Sequence, residues 1–431
     1  MTPDVGALRP LLVVIPLVLA GGLWLVVNDI RRRSAAILAL LWNLIGLTGL
    51  NVLATSVGWW SFDAASPNLL GTPVDLLLAW AILWSVIPVL ATRWVPLTYA
   101  VVALIVLDVY AMPAMHPVVE LRGDWWWGEL IAVVTCLLPS SILGALTIRR
   151  EVLAVRVGLQ VVLFTALLVV AIPALCYELR SRSGFLAPPS DWQLHIGGVW
   201  DIVAIQVAGV IALAALAAVA EFARAGGTPW PWDPPSRVVT VGPYAYLTNP
   251  MQLCATLLIA IAGLVLWIPL MFIAAVGAAA FSAGVAAYVE DEALDRRFGD
   301  DWSSYRNAVP TWLPRWRPAP SKEPAKVYIA RGCDPCSDLA AWIIARRPVG
   351  LEVLAAEGYP QPLRRIRYLH ATGVKLDGVR AVAAVMAHLN LAWAMTGWVI
   401  GTPGISHLVQ LLIDASGGQA RDIPTTKTET E

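Results

Sequence analysis

The sequence predicts a polytopic α-helical membrane protein that carries a small α/β domain near its C-terminus. Of the 431 residues, 58% are hydrophobic and only 14% are charged, and the mean hydropathy is +0.68. Several apolar runs reach about 20 residues, the length that an α-helix needs to cross the hydrocarbon core of a bilayer. Beyond residue 326 a strand-like segment and an amphipathic helical segment surround a C-x-x-C motif, which indicates a compact domain of ordinary size.

Nine apolar segments are predicted to span the membrane: 8–27, 35–58, 74–91, 95–115, 128–147, 155–176, 198–221, 250–267 and 269–289. We do not expect the first to be a cleaved signal peptide, because it lacks a preceding basic segment and a small-residue cleavage site. Many of the 21 Trp residues lie near segment ends, where indole rings favour the headgroup layer. The net charge is zero, so the sequence offers no basic footprint for a nucleic acid.

Arginine residues are distributed unequally between the two sets of connecting loops. The poorer set holds only Arg9, Arg122, Arg180 and Arg182. The richer set holds Arg31, Arg32, Arg33, Arg93, Arg149, Arg150, Arg156, Arg224 and Arg237. Because loops rich in basic residues remain in the cytoplasm, we expect the N-terminus outside and the C-terminal domain in the cytoplasm. The expected location is the inner membrane of a bacterium, crossed several times.

The most specific pattern lies in residues 239–314. It opens with VTVGPYAYLTNPMQ, continues through two apolar segments, and closes with VEDEALDRRFGDDWSSYRNAVPTWLP. A rigid Gly-Pro-Tyr turn therefore precedes a membrane helix that starts at Asn249-Pro250. Two predicted spans later, the acidic cluster around Glu290 returns to the same membrane face. This spacing predicts a polar pocket at the cytoplasmic surface of the membrane.

This pattern resembles the isoprenylcysteine carboxyl methyltransferase and phospholipid methyltransferase superfamily over roughly residues 223–318. The matching positions are Gly242, Pro243, Tyr244, Asn249, Pro250, Glu290, Leu294, Phe298, Gly299 and Tyr305. Three positions depart from the family pattern: Thr248 stands where Arg is usual, Gln252 where Tyr is frequent, and Asp291 where a second Glu is expected. The resemblance implies S-adenosylmethionine as methyl donor and a lipophilic acceptor, either a prenyl, quinone-like or phospholipid molecule.

The resemblance also implies a set of donor-binding residues. These are Gly242, Pro243, Tyr244, Tyr246, Asn249, Pro250, Glu290 and Glu292. Glu290 is predicted to hold the donor's ammonium group, and the Tyr244 and Tyr246 rings to face its sulfonium cation. Glu290 and Tyr244 are predicted to align the reacting groups, which is the main need of an in-line methyl transfer. In the alternative interpretation, the acidic cluster is a solvated helix end and Asn249-Pro250 an ordinary helix start.

The segment KVYIARGCDPCSDLAAWIIARR predicts a strand, a C-x-x-C loop and an amphipathic helix. Cys333 would begin the helix, where the dipole favours a thiolate, and Cys336 would be its resolving partner. No second C-x-x-C or His pair completes a zinc site, so we expect no bound metal. The module resembles the DCC family of thioredoxin-like proteins, with Arg331-Gly332 in place of their Asp-Gly. The resemblance implies redox activity with a cytoplasmic thiol partner; the alternative is a fold whose cysteines are inert.

Isolated polar residues elsewhere give weaker indications. Asp108, near the middle of the fourth span, is either functional or bonded to a neighbouring helix. Glu129 lies near a span end, and we expect it at the membrane interface. His388 lies in the apolar sequence MAHLNLAW, which predicts a packed histidine on a helix.

The predicted organisation has four parts: N-terminal transmembrane helices in 1–222, a methyltransferase-like membrane core in 223–318, a thioredoxin-like domain in 326–418 and a disordered tail in 419–431. The expected function is methyl transfer from S-adenosylmethionine to a lipophilic acceptor that reaches the site through the bilayer. One alternative is an NADPH-dependent membrane reductase of the isoprenoid or sterol type, and it would need a basic clamp for the 2′-phosphate. The other is a membrane-anchored thiol–disulfide oxidoreductase.

Overall fold

The structure is a computed structural model that describes residues 5–62, 67–116, 118–183, 198–321, 323–370 and 372–423. Within these ranges, the side chains of residues 5–7, 285–291 and 293 are not described. The chain divides into two compact units. The first comprises residues 1–192, 228–233 and 267–274, and the second comprises residues 193–227, 234–266 and 275–431.

The first unit is a bundle of nine described helices with two short β-ribbons. The helices are α1 (Val5–Val26), α2 (Ile30–Val57), α3 (Val74–Trp84), α4 (Val86–Ala91), α5 (Leu97–Ala114), α6 (Trp125–Ala132), α7 (Leu138–Arg149), α8 (Leu153–Ala166) and α9 (Ile172–Ser183). Two π-helical turns, Val133–Leu137 and Leu167–Ala171, make α6–α7 and α8–α9 continuous. The ribbons pair strands antiparallel, β1 (Trp60–Phe62) with β4 (Val119–Leu121), and β2 (Asn68–Leu69) with β3 (Thr72–Pro73).

Some polar side chains in the interior of this bundle have partners within it. Asn43 of α2 donates to the Ser140 hydroxyl at 3.1 Å. The buried guanidinium of Arg156 forms an ion pair with the buried carboxylate of Asp233. These contacts offset the cost of removing the polar groups from water. The polar groups can therefore lie beside the apolar core of the unit.

The carboxyl groups of Asp108 and Glu129 interact in the interior of the first unit. Each residue is 5% exposed. Glu129 of α6 is therefore buried beside Asp108 of α5, near the start of its span, and its depth in the membrane stays a prediction. The two interpretations of Asp108 also stay predictions.

Seven described helical segments are long and apolar enough to cross a membrane: Leu8–Val26, Ile30–Val57, Val74–Ala91, Leu97–Ala114, Trp125–Arg149, Leu153–Arg182 and Val199–Arg224. They correspond to the first seven predicted spans, and the chain is a polytopic α-helical membrane protein. The eighth and ninth predicted spans fall on two shorter apolar helices of the described residues, Pro250–Val265 and Leu270–Gly284, so the structure supports seven spans and the other two stay a prediction.

The second unit begins with α10 (Val199–Arg224) and continues, after a 3-10 turn at Gly242–Ala245, with α11 (Pro250–Val265). Next comes α12 (Leu270–Phe281), which crosses the boundary between the units, and then a π-helical turn at Ser282–Ala286. Two further helices follow, α13 (Ala287–Phe298) and α14 (Asp300–Ala308). Pro250 occupies the first turn of α11, where its missing N–H leaves no helical hydrogen bond unmade.

The C-terminal part of the second unit is an α/β domain. Its elements are β5 (Ala325–Ile329), α15 (Asp334–Ala345), β6 (Leu351–Ala355), β7 (Arg367–Leu369), β8 (Lys375–Asp377), α16 (Val379–Met386), α17 (Leu391–Gly401) and α18 (Pro403–Ala415). The sheet order is β6-β5-β7-β8, with β5 and β6 parallel and the other two pairs antiparallel. The strand and helix predicted on either side of the C-x-x-C motif are therefore present.

Helix α14 and the segment after it hold the Gly-Pro-Tyr turn in place. The buried Tyr305 hydroxyl donates to the backbone oxygen of Tyr244 at 2.9 Å. Backbone N–H groups of the following segment bind the turn as well, from Arg315 to the Tyr246 oxygen at 3.0 Å and from Ala319 to the Ala245 oxygen at 2.8 Å. The turn is thus fixed by residues far along the chain.

We expect Tyr305→Phe to lower the free energy of unfolding by about 1–3 kcal/mol, because it leaves the buried Tyr244 carbonyl without this hydroxyl donor. Thermal unfolding of the detergent-solubilised protein measures the change. The matched control is Tyr177→Phe, since the Tyr177 side chain is 60% exposed. Equal melting temperatures for the two variants would contradict the prediction.

Candidate functional site

The second unit contains a cavity of about 320 Å³ beside the Gly-Pro-Tyr turn. Residues 240–242 and Ala245 form one wall together with the last three turns of α10. The opposite wall comes from β7, β8, α16 and α17 of the C-terminal domain. A volume of this order suits a small-molecule ligand. The turn singled out in the sequence therefore borders a cavity, and the C-terminal domain contributes to it.

Gly242 is the position of the turn at which the cavity wall requires glycine. Its φ angle is +60°, a conformation that residues with a side chain rarely adopt. A Cβ atom at this position would lie 2.9 Å from the Cγ atom of Glu221 on α10. Both the backbone conformation and the close approach of α10 therefore exclude a larger residue.

The charged part of the cavity wall lies at the end of α10. Glu221 and Arg224 form an ion pair across one helical turn, and both border the cavity. Arg380 of α16 borders it from the other side and forms no ion pair with another described residue. The wall thus presents one carboxylate and two guanidinium groups, a set that matches a ligand with both a positively and a negatively charged group.

A histidine and a tyrosine are joined by a hydrogen bond in the opposite wall. His388 Nδ1 donates to the backbone oxygen of Val349 at 2.8 Å. Its Nε2 lies 2.9 Å from the hydroxyl of Tyr368. Burial lowers the pKa of His388 to about 4 and raises that of Tyr368. At neutral pH, His388 is therefore uncharged, and its Nε2 atom accepts a hydrogen bond from the Tyr368 hydroxyl.

A second histidine of this wall has a defined tautomer. His370 Nδ1 accepts from the backbone N–H of Thr372 at 3.1 Å, so the proton of the neutral ring is on Nε2. Burial lowers the pKa of His370, although the carboxylate of Glu221 opposes the shift. The rings of Tyr368 and His370 are stacked, with centroids 6.4 Å apart. Together they form an aromatic surface on one side of the cavity.

Several of these residues were missed from the sequence. His388 was expected on a helix, yet α16 ends at Met386 and His388 lies in the turn that follows. Nothing in the sequence singles out Glu221, Tyr368 or His370, and Arg224 counts there only among the loop arginines. No local signal marks them, because residues from separate elements meet only in the folded chain.

The predicted tyrosines serve the packing of the turn. Tyr244 is 4% exposed and its ring stacks on Phe222, with centroids 5.8 Å apart. Tyr246 is 1% exposed and donates its hydroxyl proton to the Ala387 oxygen at 2.9 Å. Its ring also meets Trp398 edge to face at 5.9 Å. The cavity lining includes Gly242 and Ala245 of this turn, whereas the rings of Tyr244 and Tyr246 pack against Phe222 and Trp398.

The remaining predicted donor residues are spread over three places. Pro243 is buried within the turn. Asn249 is the N-cap residue of α11 and makes no side-chain capping bond, and Pro250 follows it in the first turn. Glu292 of α13 is half exposed and forms an ion pair with Arg296 at 2.6 Å. The side chain of Glu290 lies outside the described residues, as does that of Asp291, so the meeting of Glu290 with the turn stays a prediction.

The two cysteines of the C-x-x-C motif lie together at the start of α15. Cys333 is the N-cap residue, Cys336 lies in the first turn, and their Sγ atoms are 2.8 Å apart. Burial and the contact with Cys333 raise the pKa of Cys336 to about 12. Cys336 therefore remains a thiol at neutral pH and can donate its proton to Cys333. The motif follows the C-terminal end of β5. His370, which lines the cavity, follows the β7 residue that pairs near the N-terminal end of β5. The cysteine pair and His370 therefore lie towards opposite ends of β5.

The comparisons with known proteins give one match. The family model described as phospholipid methyltransferase matches residues 199–301. The matched segment runs from the start of α10 to α14 and includes Glu221, Gly242 and Glu290. It covers less than half of the chain and excludes the C-terminal domain. No curated protein and no solved structure matches the chain.

We expect the stability of the second unit to fall as the pH is lowered from about 6.5 to about 4. The unfolded chain binds a proton at His388 in this range, whereas the folded cavity wall keeps the ring neutral. His388→Gln keeps one donor and one acceptor but does not titrate. The fall in melting temperature between pH 7 and pH 4.5 should therefore be smaller in this variant than in the unsubstituted protein. An equal fall in melting temperature in the two proteins would refute the prediction that His388 causes the loss of stability.

Proposed function

We propose that this protein is an integral-membrane methyltransferase that transfers a methyl group from S-adenosylmethionine to a lipophilic acceptor. The observation that carries the proposal is the phospholipid methyltransferase match to residues 199–301, in which the Gly242 turn and the end of α10 border the cavity. We further propose that the C-terminal domain faces the cytoplasm, where the donor is made. This orientation rests on the arginine distribution between the loops.

S-adenosylmethionine supplies an electrophilic methyl group on a sulfonium cation, and the donor also carries an ammonium and a carboxylate. Glu221 and Glu290 are the carboxylates that would bind its positive groups. Arg224 and Arg380 are the guanidinium groups that would bind its carboxylate. The aromatic surface of Tyr368 and His370 offers a face for the adenine ring. The main work of the site is then to align the reacting groups and to exclude water.

The acceptor side of the cavity is apolar. Leu213, Leu216 and Ala217 of α10 line it towards the membrane part of that helix. This lining favours an acceptor with a hydrocarbon part that arrives from the bilayer, whether prenyl, quinone-like or phospholipid. If the acceptor is an amine or a phenol, it must also lose a proton, and a carboxylate of the site is the candidate base.

Isothermal titration of the purified protein with S-adenosylmethionine and, separately, with NADPH tests the proposal. We expect binding of S-adenosylmethionine and none of NADPH, and we expect Glu290→Ala to lower the affinity at least tenfold, about 1.4 kcal/mol. The matched control is Asp295→Ala, an exposed carboxylate of the same helix. Unchanged donor affinity in Glu290→Ala would remove that residue from the site. Binding of NADPH alone would instead favour a membrane reductase, with Arg224 and Arg380 as the basic clamp.

We propose a second function for the C-terminal domain, thiol–disulfide exchange with a cytoplasmic partner. Its support is the pair of cysteines at the start of α15, together with a β6-β5-β7-β8 sheet of the kind expected for a thioredoxin-like, DCC-type domain. Cys333 would attack a disulfide of the partner, and Cys336 would then release the partner by displacing its thiolate from the mixed disulfide.

We expect Cys333 to react with maleimide at pH 7.5 much faster than Cys336, because the pKa of Cys336 is about 12. Mass spectrometry of the digested protein assigns the label to each cysteine. Cys333→Ser should remove most labelling of the motif, whereas Cys336→Ser should retain it. Equilibration with glutathione buffers should also interconvert dithiol and disulfide. An unreactive Cys333, and no disulfide at any buffer ratio, would mean that the cysteines are inert.

A further inference from the structure

Helix α18 directs polar side chains into the C-terminal domain. Gln410 accepts the backbone N–H of Val379 with its Oε1 atom at 2.9 Å and donates to Asp414 at 2.8 Å. Asp414 forms a two-pronged ion pair with Arg365, at 2.7 and 2.8 Å. Because these groups recur one turn apart along the same stripe of the helix, the side of α18 that packs on its own domain is polar.

The opposite side of α18 is apolar and exposed. Leu408, Leu411 and Leu412 are 59%, 65% and 62% exposed. A helix on the surface of a water-soluble domain shows the reverse arrangement, with its apolar stripe against the core and its polar stripe in water. Exposed leucines on one stripe therefore indicate a partner that is itself apolar.

The preceding helix locates this apolar stripe near the membrane. Helix α17 has the sequence LAWAMTGWVIG, which contains no charged residue, and it packs against α10. Thr402 and Pro403, where α17 passes into α18, border the same cavity as Leu213 of α10. At the rise of an α-helix, Leu213 lies about 16 Å along the axis of α10 from Arg224, the charged residue at which the helix ends. This distance is about half of the thickness of the hydrocarbon core.

Helix α10 also presents an apolar surface that is exposed among the described residues. Ile202, Ile205 and Leu216 are 50%, 49% and 45% exposed, along a helix that is long enough to cross a membrane. In the second unit, therefore, a spanning helix and the terminal helix both expose aliphatic side chains, and α17 connects them. Lipid acyl chains fit both surfaces.

We propose that α18 lies in the membrane, with Leu408, Leu411 and Leu412 in contact with lipid acyl chains. The C-terminal domain is then anchored in the bilayer by its own last helix, and the Gln410 and Asp414 stripe joins that helix to the domain. The proposal is independent of the chemistry at the cavity. It departs from the separate soluble module that the sequence predicts, because α17 and α18 become part of the membrane region.

Spin labelling of the full chain in phosphatidylcholine vesicles tests the proposal. A nitroxide is attached at Leu411→Cys in a protein whose five native cysteines are replaced by serine. The matched control carries the nitroxide at Glu352→Cys, an exposed position on β6 of the same domain. We expect the ratio of collision rates with oxygen and with a water-soluble nickel complex to be several-fold higher at position 411 than at position 352.

A ratio at position 411 as low as that at position 352 would overturn the proposal, because the helix would then lie in water. Dipolar broadening between labels of two chains, with low access to oxygen, would assign the leucines to a second copy and would overturn it too. If the Leu411→Cys protein does not elute from a size-exclusion column like the unsubstituted protein, the nitroxide is attached at Leu408→Cys instead. Its side chain lies on the same exposed stripe.

Discussion

The hydrogen bonds around the Gly-Pro-Tyr turn are the contacts on which the second unit depends. Tyr305 binds the Tyr244 oxygen from α14, and the Tyr246 hydroxyl binds the Ala387 oxygen at the end of α16. Each buried bond of this kind contributes only about 1 kcal/mol. Their importance is geometric, because one short turn links α10 before it to the α/β domain that follows.

The cavity is a consequence of this linkage. The turn brings Gly242 against Glu221 of α10, and the Tyr246 bond brings the region after α16 to the other side. His388 and Tyr368 then face the end of α10 across the cavity. The C-terminal domain is therefore a wall of the candidate site, in addition to being the carrier of the cysteine pair.

Burial in this protein follows two rules at once, because the chain meets both water and lipid. Charged groups in the interior, such as Arg156 with Asp233, are paired because an isolated buried charge is costly. Outward leucines are ordinary on α10, where lipid is the solvent, and each would cost about 1.5–3 kcal/mol relative to burial if it faced water. The same cost applies to the leucines of α18, which is why their exposure points to lipid.

The sequence by itself determined the features that depend on neighbouring residues. Run length and hydropathy located seven spans, and the strand and helix around Cys333 followed from local pattern. The Gly-Pro-Tyr motif pointed to the segment that the family model matches and that borders the cavity. Each of these depends on a few consecutive turns of chain, and such signals are visible without a fold.

Tertiary structure alone decided which distant residues meet. Glu221, Tyr368 and His388 are far apart in the chain and carry no shared motif, so only packing brings them to one cavity. The interior position of Glu129 was likewise hidden, because a carboxyl near a span end is compatible with either environment until α5 is placed beside it. For α18 the sequence shows two unlike stripes, but only the contacts of Asp414 with Arg365 reveal that the polar stripe faces inward.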